Sequence, residues 1–473
     1  MSDTAAQEAK YKKMVETPIP KLVVSLAVPT IISMMVTSIY NMADTFFVGQ
    51  IGTSATGAVG VVFSLMAIIQ AIGFTLGMGS GNYISRLLGQ RDHERAQQVA
   101  STGFVTALIV GAVVAVLGLI FIDPLVRMLG ATETILPHAR AYAQYILIGA
   151  PYMAASFVLN NILRFQGNAI YAMVGLTAGG VLNIILDPIF IFGLGMGTGG
   201  AALATIISQF VSFLILFYNC QGKGGGIKVR FTSFKPCWSI YKEILRGGLP
   251  SFYRQGLASI STICLNLGAG PFGDAAIAAM SIVGKVFMFA FSILLGFGQG
   301  FQPVCGFNYG AQRYDRVLRA FWFCVKVGVI LLAVLAVGGV IFAPQLVELF
   351  RKGDAEVVAI GVVAMRWQAV VFPLSAWVTM CNMLLQAIGK GTKASILAMA
   401  RQGIFFLPLI LVLPHTIGLL GVQISQPIAD VCTFLLAVPL TVSVLRELKQ
   451  QMYLQPGYDP ETETMSPAEE TAK

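Results

Sequence analysis

Long apolar runs, separated by short polar or glycine-rich breaks, fill the chain from about residue 21 to residue 445. A run of about 18 or more residues with few charges can cross a hydrocarbon core as a helix. Such runs fall at 21–48, 54–85, 97–122, 139–164, 168–193, 199–219, 244–268, 275–306, 317–343, 357–387, 393–414 and 419–445, which predicts an all-α integral membrane protein of twelve transmembrane helices. Composition excludes the soluble alternative. With 56% hydrophobic and 11% charged residues and a mean hydropathy of +0.77, no water-soluble fold could hide this much apolar surface.

The distribution of charge orients the spans. Lys and Arg crowd alternate connections: Arg86, Arg91 and Arg95; Lys223, Lys228, Arg230, Lys235, Lys242 and Arg246; Arg313, Arg316 and Arg319; Lys390 and Lys393. The intervening connections offer little beyond Arg127, Arg351 and Lys352. The positive-inside rule then expects the basic connections and both termini in the cytoplasm, at a cell membrane. The net charge of +9 follows from this topology beside anionic lipid, with no need of nucleic acid. Met1 to Pro20 has no signal-peptide pattern and is expected as a cytoplasmic tail. Residues 446–473, with Pro456, Pro460, Glu461, Glu463, Glu469 and Glu470, are expected to be solvated and disordered.

The two halves echo one another. Pro151, Ala154, Asn160 and Gly167 match Pro373, Ala376, Asn382 and Gly389 at an offset of 222, and Pro29 similarly matches Pro250. Gly77-Met78-Gly79-Ser80-Gly81 is echoed by Gly296-Phe297-Gly298-Gln299-Gly300. An even number of spans per unit makes the repeat parallel, so two six-helix lobes are expected at 21–219 and 244–445, joined by a basic linker at 220–243. Parallel repeats about an axis along the membrane normal are a transporter architecture.

What the repeat does not share is where chemistry is expected. Asp44, Asn183, Asp187 and Thr205 lie in three different spans at one depth, roughly 8 to 10 Å below the face opposite the basic one at ~1.5 Å per residue. Tyr40 lies one turn under Asp44, and Asn183 one turn from Asp187. A carboxylate inside a membrane costs at least ~2.5 kcal/mol on lenient scales and marks a functional site by default. The repeat positions of the two carboxylates are apolar, near Leu265 and Leu409, whereas the second half places Arg254, Lys285 and Arg401 at membrane depth. Arg401 and Asp430 both reach mid-membrane and are expected to form a structural ion pair.

Catalysis has no residues to use. Gly389-Lys390-Gly391-Thr392-Lys393 lacks the P-loop pattern, Gly193-Leu194-Gly195-Met196-Gly197 has no Rossmann unit around it, and His93, His138 and His415 all lie in connections. No enzyme, catalytic residue or cofactor is expected.

Tyr40-Asn41-Met42-Ala43-Asp44, Asn183-Ile184-Ile185-Leu186-Asp187-Pro188, Thr205 and Gly306-Phe307-Asn308-Tyr309-Gly310-Ala311 together resemble the multidrug and toxic compound extrusion (MATE) transporters, in their prokaryotic DinF-like branch. The resemblance implies two lobes around a V-shaped cleft, and export of bulky, often cationic and lipophilic compounds in exchange for H+ or Na+. It implies a cation site at Asp44, Asn183, Asp187 and Thr205 with Tyr40 adjoining, and a first helix bent at Pro29. Hard oxygen ligands suit Na+, and paired carboxylates in a low dielectric suit a shared proton. Met34, Met35, Phe157, Asn160, Phe287, Met288, Phe289 and Phe291 are candidates for a soft, aromatic drug pocket in a monomer. The alternative within the superfamily is a flippase for lipid-linked oligosaccharide or phospholipid, with Arg254, Lys285 and Arg401 on the phosphate.

Overall fold

The computed structural model describes residues 3–221, 226–350, 353–455, 458–459 and 464–465. After a short helix α1 (Asp3–Glu16), the first half contains α2 (Ile19–Gly49), α3 (Thr53–Gly89), α4 (His93–Ile120), the short α5 (Ile122–Met128), α6 (Leu136–Phe165), α7 (Ala169–Pro188) and α8 (Gly197–Gln221). The second half contains α9 (Trp238–Ala269), α10 (Asp274–Gly310), α11 (Tyr314–Ile341), the short α12 (Ala343–Phe350), α13 (Ala355–Val371), α14 (Leu374–Ala387), α15 (Gly391–Met399), α16 (Leu407–Ile417) and α17 (Leu419–Tyr453). With α13 and α14 forming one span bent by 54°, and α15 and α16 one span joined by a π-helical stretch, the first half holds six helices long and apolar enough to cross a membrane and the second five, and the more polar 32-residue α9 takes the place of the sixth.

The repeat is written into the backbone. Arg91 and Gln312, 221 residues apart, both hold the left-handed conformation, at φ 61° and 59°. Gly167 and Gly389 do the same at 82° and 81°. Left-handed backbone costs a non-glycine residue about 1–2 kcal/mol, so its recurrence at Arg91 and Gln312 marks one turn built twice. Asn160 Nδ2 donates to the Ala172 carbonyl at 3.2 Å and Asn382 Nδ2 to the Ala394 carbonyl at 2.8 Å, tying each lobe's fourth span to its fifth. The proline pair diverges: α6 runs unbroken through Pro151, while its repeat at Pro373 sits in the 54° bend. Helix α2 likewise passes through Pro29 as a single helix.

Small residues join the lobes on the side of the basic connections, called here the basic face. A Cβ on Gly248 of α9 would sit 2.0 Å from the Thr75 carbonyl oxygen of α3, and one on Gly300 of α10 only 2.4 Å from Ala27 Cα of α2. Backbones can approach this closely only without side chains between them. Polar contacts reinforce the seam. Arg86 of α3 pairs with Glu243 of α9 at 2.8 Å and donates to the Ala387 carbonyl at 3.2 Å. The buried Arg164 guanidinium of α6 donates to Gln299 Oε1 of α10. Toward the opposite face the same four seam helices carry exposed apolar side chains, among them Met42, Phe46, Ile263 and Met288.

Two helices extend beyond the sequence expectation. Residues 3–16, expected as a tail, form α1, because its few apolar residues find partners: Met14 and Val15 are buried, and Tyr11 stacks between Arg91 (4.1 Å) and Phe307 (5.5 Å). Asn308, in the Gly306–Ala311 motif, donates to the Met14 carbonyl while accepting from Arg316, which also donates to the Thr17 carbonyl. Helix α17 continues to Tyr453, past the expected end at 445. Beyond Gln455 only the antiparallel pair of Tyr458–Asp459 with Thr464–Met465 is described; the rest of the acidic tail, and Lys223, Arg351 and Lys352 of the connections, lie outside the described residues.

The seam predicts a graded response to added methyl groups. Gly248→Ala and Gly300→Ala should each lower stability by about 1–3 kcal/mol through overpacking. Gly256→Ala, where a Cβ meets nothing within 4 Å, should be neutral or slightly stabilising. Apparent melting temperatures in detergent read the difference. Equal melting of all three would mean the lobes are not held by this close approach.

Candidate functional site

The polar residues singled out by depth come together inside the first lobe. Asp44 is carried by α2, Asn183 and Asp187 by α7, and Thr205 by α8. Asn183 Nδ2 donates to Asp187 Oδ1 and to Thr205 Oγ1, both at 3.3 Å, and Thr205 in turn donates to the Ala201 carbonyl at 3.0 Å. Asp187 is fully buried, and Asn183 and Thr205 nearly so. The Asp44 carboxylate lies within electrostatic reach of Asp187. The Tyr40 ring is buried under Asp44, its hydroxyl meeting Gln209 of α8.

Local sequence explains how three helices converge at this depth. Pro188 has no N–H for the helical ladder, and directly after it the chain widens into a π-helical turn, Ile189–Gly193. The following helix starts with glycines: a Cβ on Gly200 would lie 2.7 Å from the Phe190 carbonyl oxygen, so only glycine lets α8 seat against that turn and bring Thr205 to Asn183. On the other side of α7, a Cβ on Gly180 would press on Val36 at 2.9 Å and Tyr40 at 3.2 Å, so this glycine sets how near α2 can come.

Sequence reasoning missed Tyr142. Its hydroxyl, on α6, faces Asp44 and Thr205 within electrostatic reach without a well-aligned hydrogen bond to either. The signal existed, since Tyr142 lies six residues inside α6 at the depth of the other members. Tyrosine near a membrane face is common enough as an interfacial anchor that the position alone could not single it out.

Among the described residues, four buried oxygens of this cluster have no hydrogen-bond partner: Asp44 Oδ1, Asn183 Oδ1, Asp187 Oδ2 and the Tyr142 hydroxyl. Buried polar atoms are normally paired, and leaving one unpaired costs about 1–3 kcal/mol. Four at one place, all oxygens with lone pairs, form a donor set for a proton or a hard cation.

The charged pair of the second half has the opposite character. Arg401 donates to Asp430 through Nε at 2.7 Å and Nη2 at 3.4 Å. Asp430 also accepts from Gln368 at 2.7 Å and Gln426 at 2.9 Å, which saturates its carboxylate. The guanidinium lies 4.9 Å from the centre of the Phe291 ring.

The residues considered for a drug pocket come from both lobes. Phe157 packs on Phe74 within the first lobe at 4.8 Å, and Phe287 on Phe372 within the second at 4.9 Å. Asn160 is buried and occupied by the Ala172 carbonyl, the same brace that Asn382 provides in the repeat. Met288 is 72% exposed, Phe289 is exposed, and Met34 and Met35 are half-buried on α2.

The MatE family model matches residues 29–189 and 250–412. The chain is 30% identical over 423 residues to the multidrug export protein MepA of Staphylococcus saprophyticus, spanning 89% of this chain and 93% of that protein. Against MepA of Staphylococcus aureus (strain MSSA476) the identity is 29% over 440 residues, 91% of this chain and 95% of that one. A crystal structure of MATE in complex with MaL6 superimposes with a TM-score of 0.87 at 30% identity, covering 93% of this chain and 99% of the other. An outward-facing multidrug resistance MATE family transporter of the MOP superfamily gives 0.86 at 31%, covering 92% and 98%.

The saturated pair yields a test by double substitution. Arg401→Ala should cost about 3 kcal/mol by leaving the Asp430 carboxylate buried without its cation, whereas Arg401→Leu combined with Asp430→Leu should recover most of it. Melting in detergent reads both. A double variant that is stable yet inactive in transport would give the pair a direct role in the transport cycle.

Proposed function

The chain belongs to the MatE family, and on that premise we propose that it is a secondary antiporter which exports bulky, often cationic and lipophilic compounds across a cell membrane in exchange for a cation bound at Asp44, Asn183, Asp187 and Thr205, with Tyr40 and Tyr142 adjoining. The observation that carries the proposal is the set of four buried oxygens without internal donors, two of them from carboxylates. Elsewhere the protein satisfies a buried carboxylate fully, as at Asp430. An acidic pair left open supplies what a coupling ion needs.

Orientation follows from charge. The basic face belongs in the cytoplasm by the positive-inside rule, with both termini there. The lobes are joined on that side, so the cleft faces outward and the cation cluster lies near the external face. A proton or Na+ on the acidic pair removes one of its two negative charges and so suits a closed apolar lobe better, whereas a bare pair attracts a cationic substrate. Mutually exclusive occupancy of the two states is sufficient for exchange. The flippase alternative needs free cations for phosphate, and Arg401 is already engaged by Asp430, which favours the exporter.

Asp44→Asn and Asp187→Asn each keep the side-chain shape and remove the titratable charge. Both should insert and fold at wild-type abundance, and both should reduce ethidium efflux from energised cells to background. Tyr142→Phe, which removes one oxygen of the set, should weaken efflux without abolishing it. Efflux near the wild-type rate in either carboxamide variant would remove the acidic pair from the coupling mechanism.

The coupling ion is decided in proteoliposomes, by comparing an imposed pH gradient without sodium against a sodium gradient at clamped pH. Close carboxylates favour proton sharing, so drug movement is expected under the pH gradient. Movement under sodium alone would assign Na+ to the same oxygens.

A further inference from the structure

We propose that the groove between α11 and α17, floored by α14, binds an anionic phospholipid. It encloses about 560 Å³ on the outer flank of the second lobe and opens toward the basic face. At its mouth stand Arg319 of α11 with Arg446 and Lys449 of α17, three cations facing one lining carboxylate, Asp315. That carboxylate is buried and already shared by Arg313 and Arg319. Arg446 is exposed and makes no ion pair among the described residues, and Lys449 lies 5.6 Å from the Tyr453 ring centre. With Arg319 taken up by Asp315, Arg446 gives the mouth its positive excess among the described residues.

Deeper in, the lining changes to apolar and aromatic. Trp322 lies two turns into α11 and Trp377 about 15 Å from the basic end of α14 at ~1.5 Å per residue. Their rings are 5.9 Å apart, and Trp322 is half exposed. The Trp377 indole N–H is buried and has no hydrogen-bond acceptor. Cations at the face, an unpaired N–H below them and an apolar trough below that match, in order, the phosphate, ester carbonyl and acyl chain of a phospholipid.

The repeat explains why this groove is open. In the first lobe its counterpart lies between α4 and α8, over α6, and the chain itself covers it. Phe231 of the linker packs on Phe104 at 6.0 Å, the Arg230 N–H donates to Ser101 Oγ at 3.1 Å, and Gln97 donates to Ser233 Oγ at 3.1 Å. Ser101 is the repeat position of Trp322, 221 residues earlier. No described segment covers the second copy, whose wall is Trp where the first has Ser.

The test uses the full-length protein in mild detergent, incubated with phosphatidylglycerol, phosphatidylcholine or inorganic phosphate, with retained lipid counted by native mass spectrometry. Phosphatidylglycerol should be retained in preference to phosphatidylcholine. Arg446→Ala and Lys449→Ala should each weaken its retention about fivefold. Trp377→Phe, which keeps the ring and loses the N–H, should weaken it while lipid-free melting stays unchanged. Equal retention of the two lipids would overturn the proposal. So would competition by inorganic phosphate as effective as unlabelled lipid, which would reduce the groove to a simple anion site. Retention that appears only after truncation behind Gln455 would assign the groove to the acidic tail instead.

Discussion

Hydrocarbon offers a polar atom no partner, and the rest of this structure can be read as a set of answers to that one constraint. Asp430 answers it completely, with a guanidinium and two carboxamides on its two oxygens. Arg86 answers it with Glu243 and a backbone carbonyl, and Arg164 with neutral acceptors, Gln299 and Asn161 among them. The Asp44 and Asp187 cluster answers it only in part. Asp430 is closed by partners from the chain itself, whereas the first-lobe pair of carboxylates keeps open oxygens, a place where something from outside the chain can take part.

The scaffold is symmetric and the chemistry is not. Left-handed turns, asparagine braces and short helices recur at offsets of 221 to 222, down to α5 and α12, which begin at Ile122 and Ala343. Onto this frame the first lobe adds carboxylates and the second adds arginines and tryptophans. The bend at Pro373 has no counterpart at Pro151. A duplicated frame supplies two bodies that can move against each other. What each body binds is set by the substitutions that broke the symmetry.

The spans were legible because each had to be about as long as the bilayer is thick, and charge between spans is costly to misplace. Asp44, Asn183, Asp187 and Thr205 were legible for the same reason: polarity at one shared depth is rare. Arg401 and Asp430 were found by counting inward from the loops, though Gln368 and Gln426 were not, because uncharged carboxamides stand out less against their surroundings. Tyr142 hid among the aromatic residues that frequent membrane faces. For Phe157, Phe287 and Asn160, composition says that the side chains are soft or polar, while only packing says which partners they already have. Helix α1 was invisible for a related cause, since its helicity depends on Phe307, Asn308 and Arg316, some three hundred residues away.

That helix touches both lobes: Glu8 and Tyr11 reach Arg91 in the first, and the carbonyls of Met14 and Thr17 are held by Asn308 and Arg316 in the second. Any separation of the lobes on the basic face must pull it free of one of them. Helix α1 is thus a strap across the joint between the lobes. In a cycle of opening and closing, a fourteen-residue helix would share in setting how readily the door on that side swings.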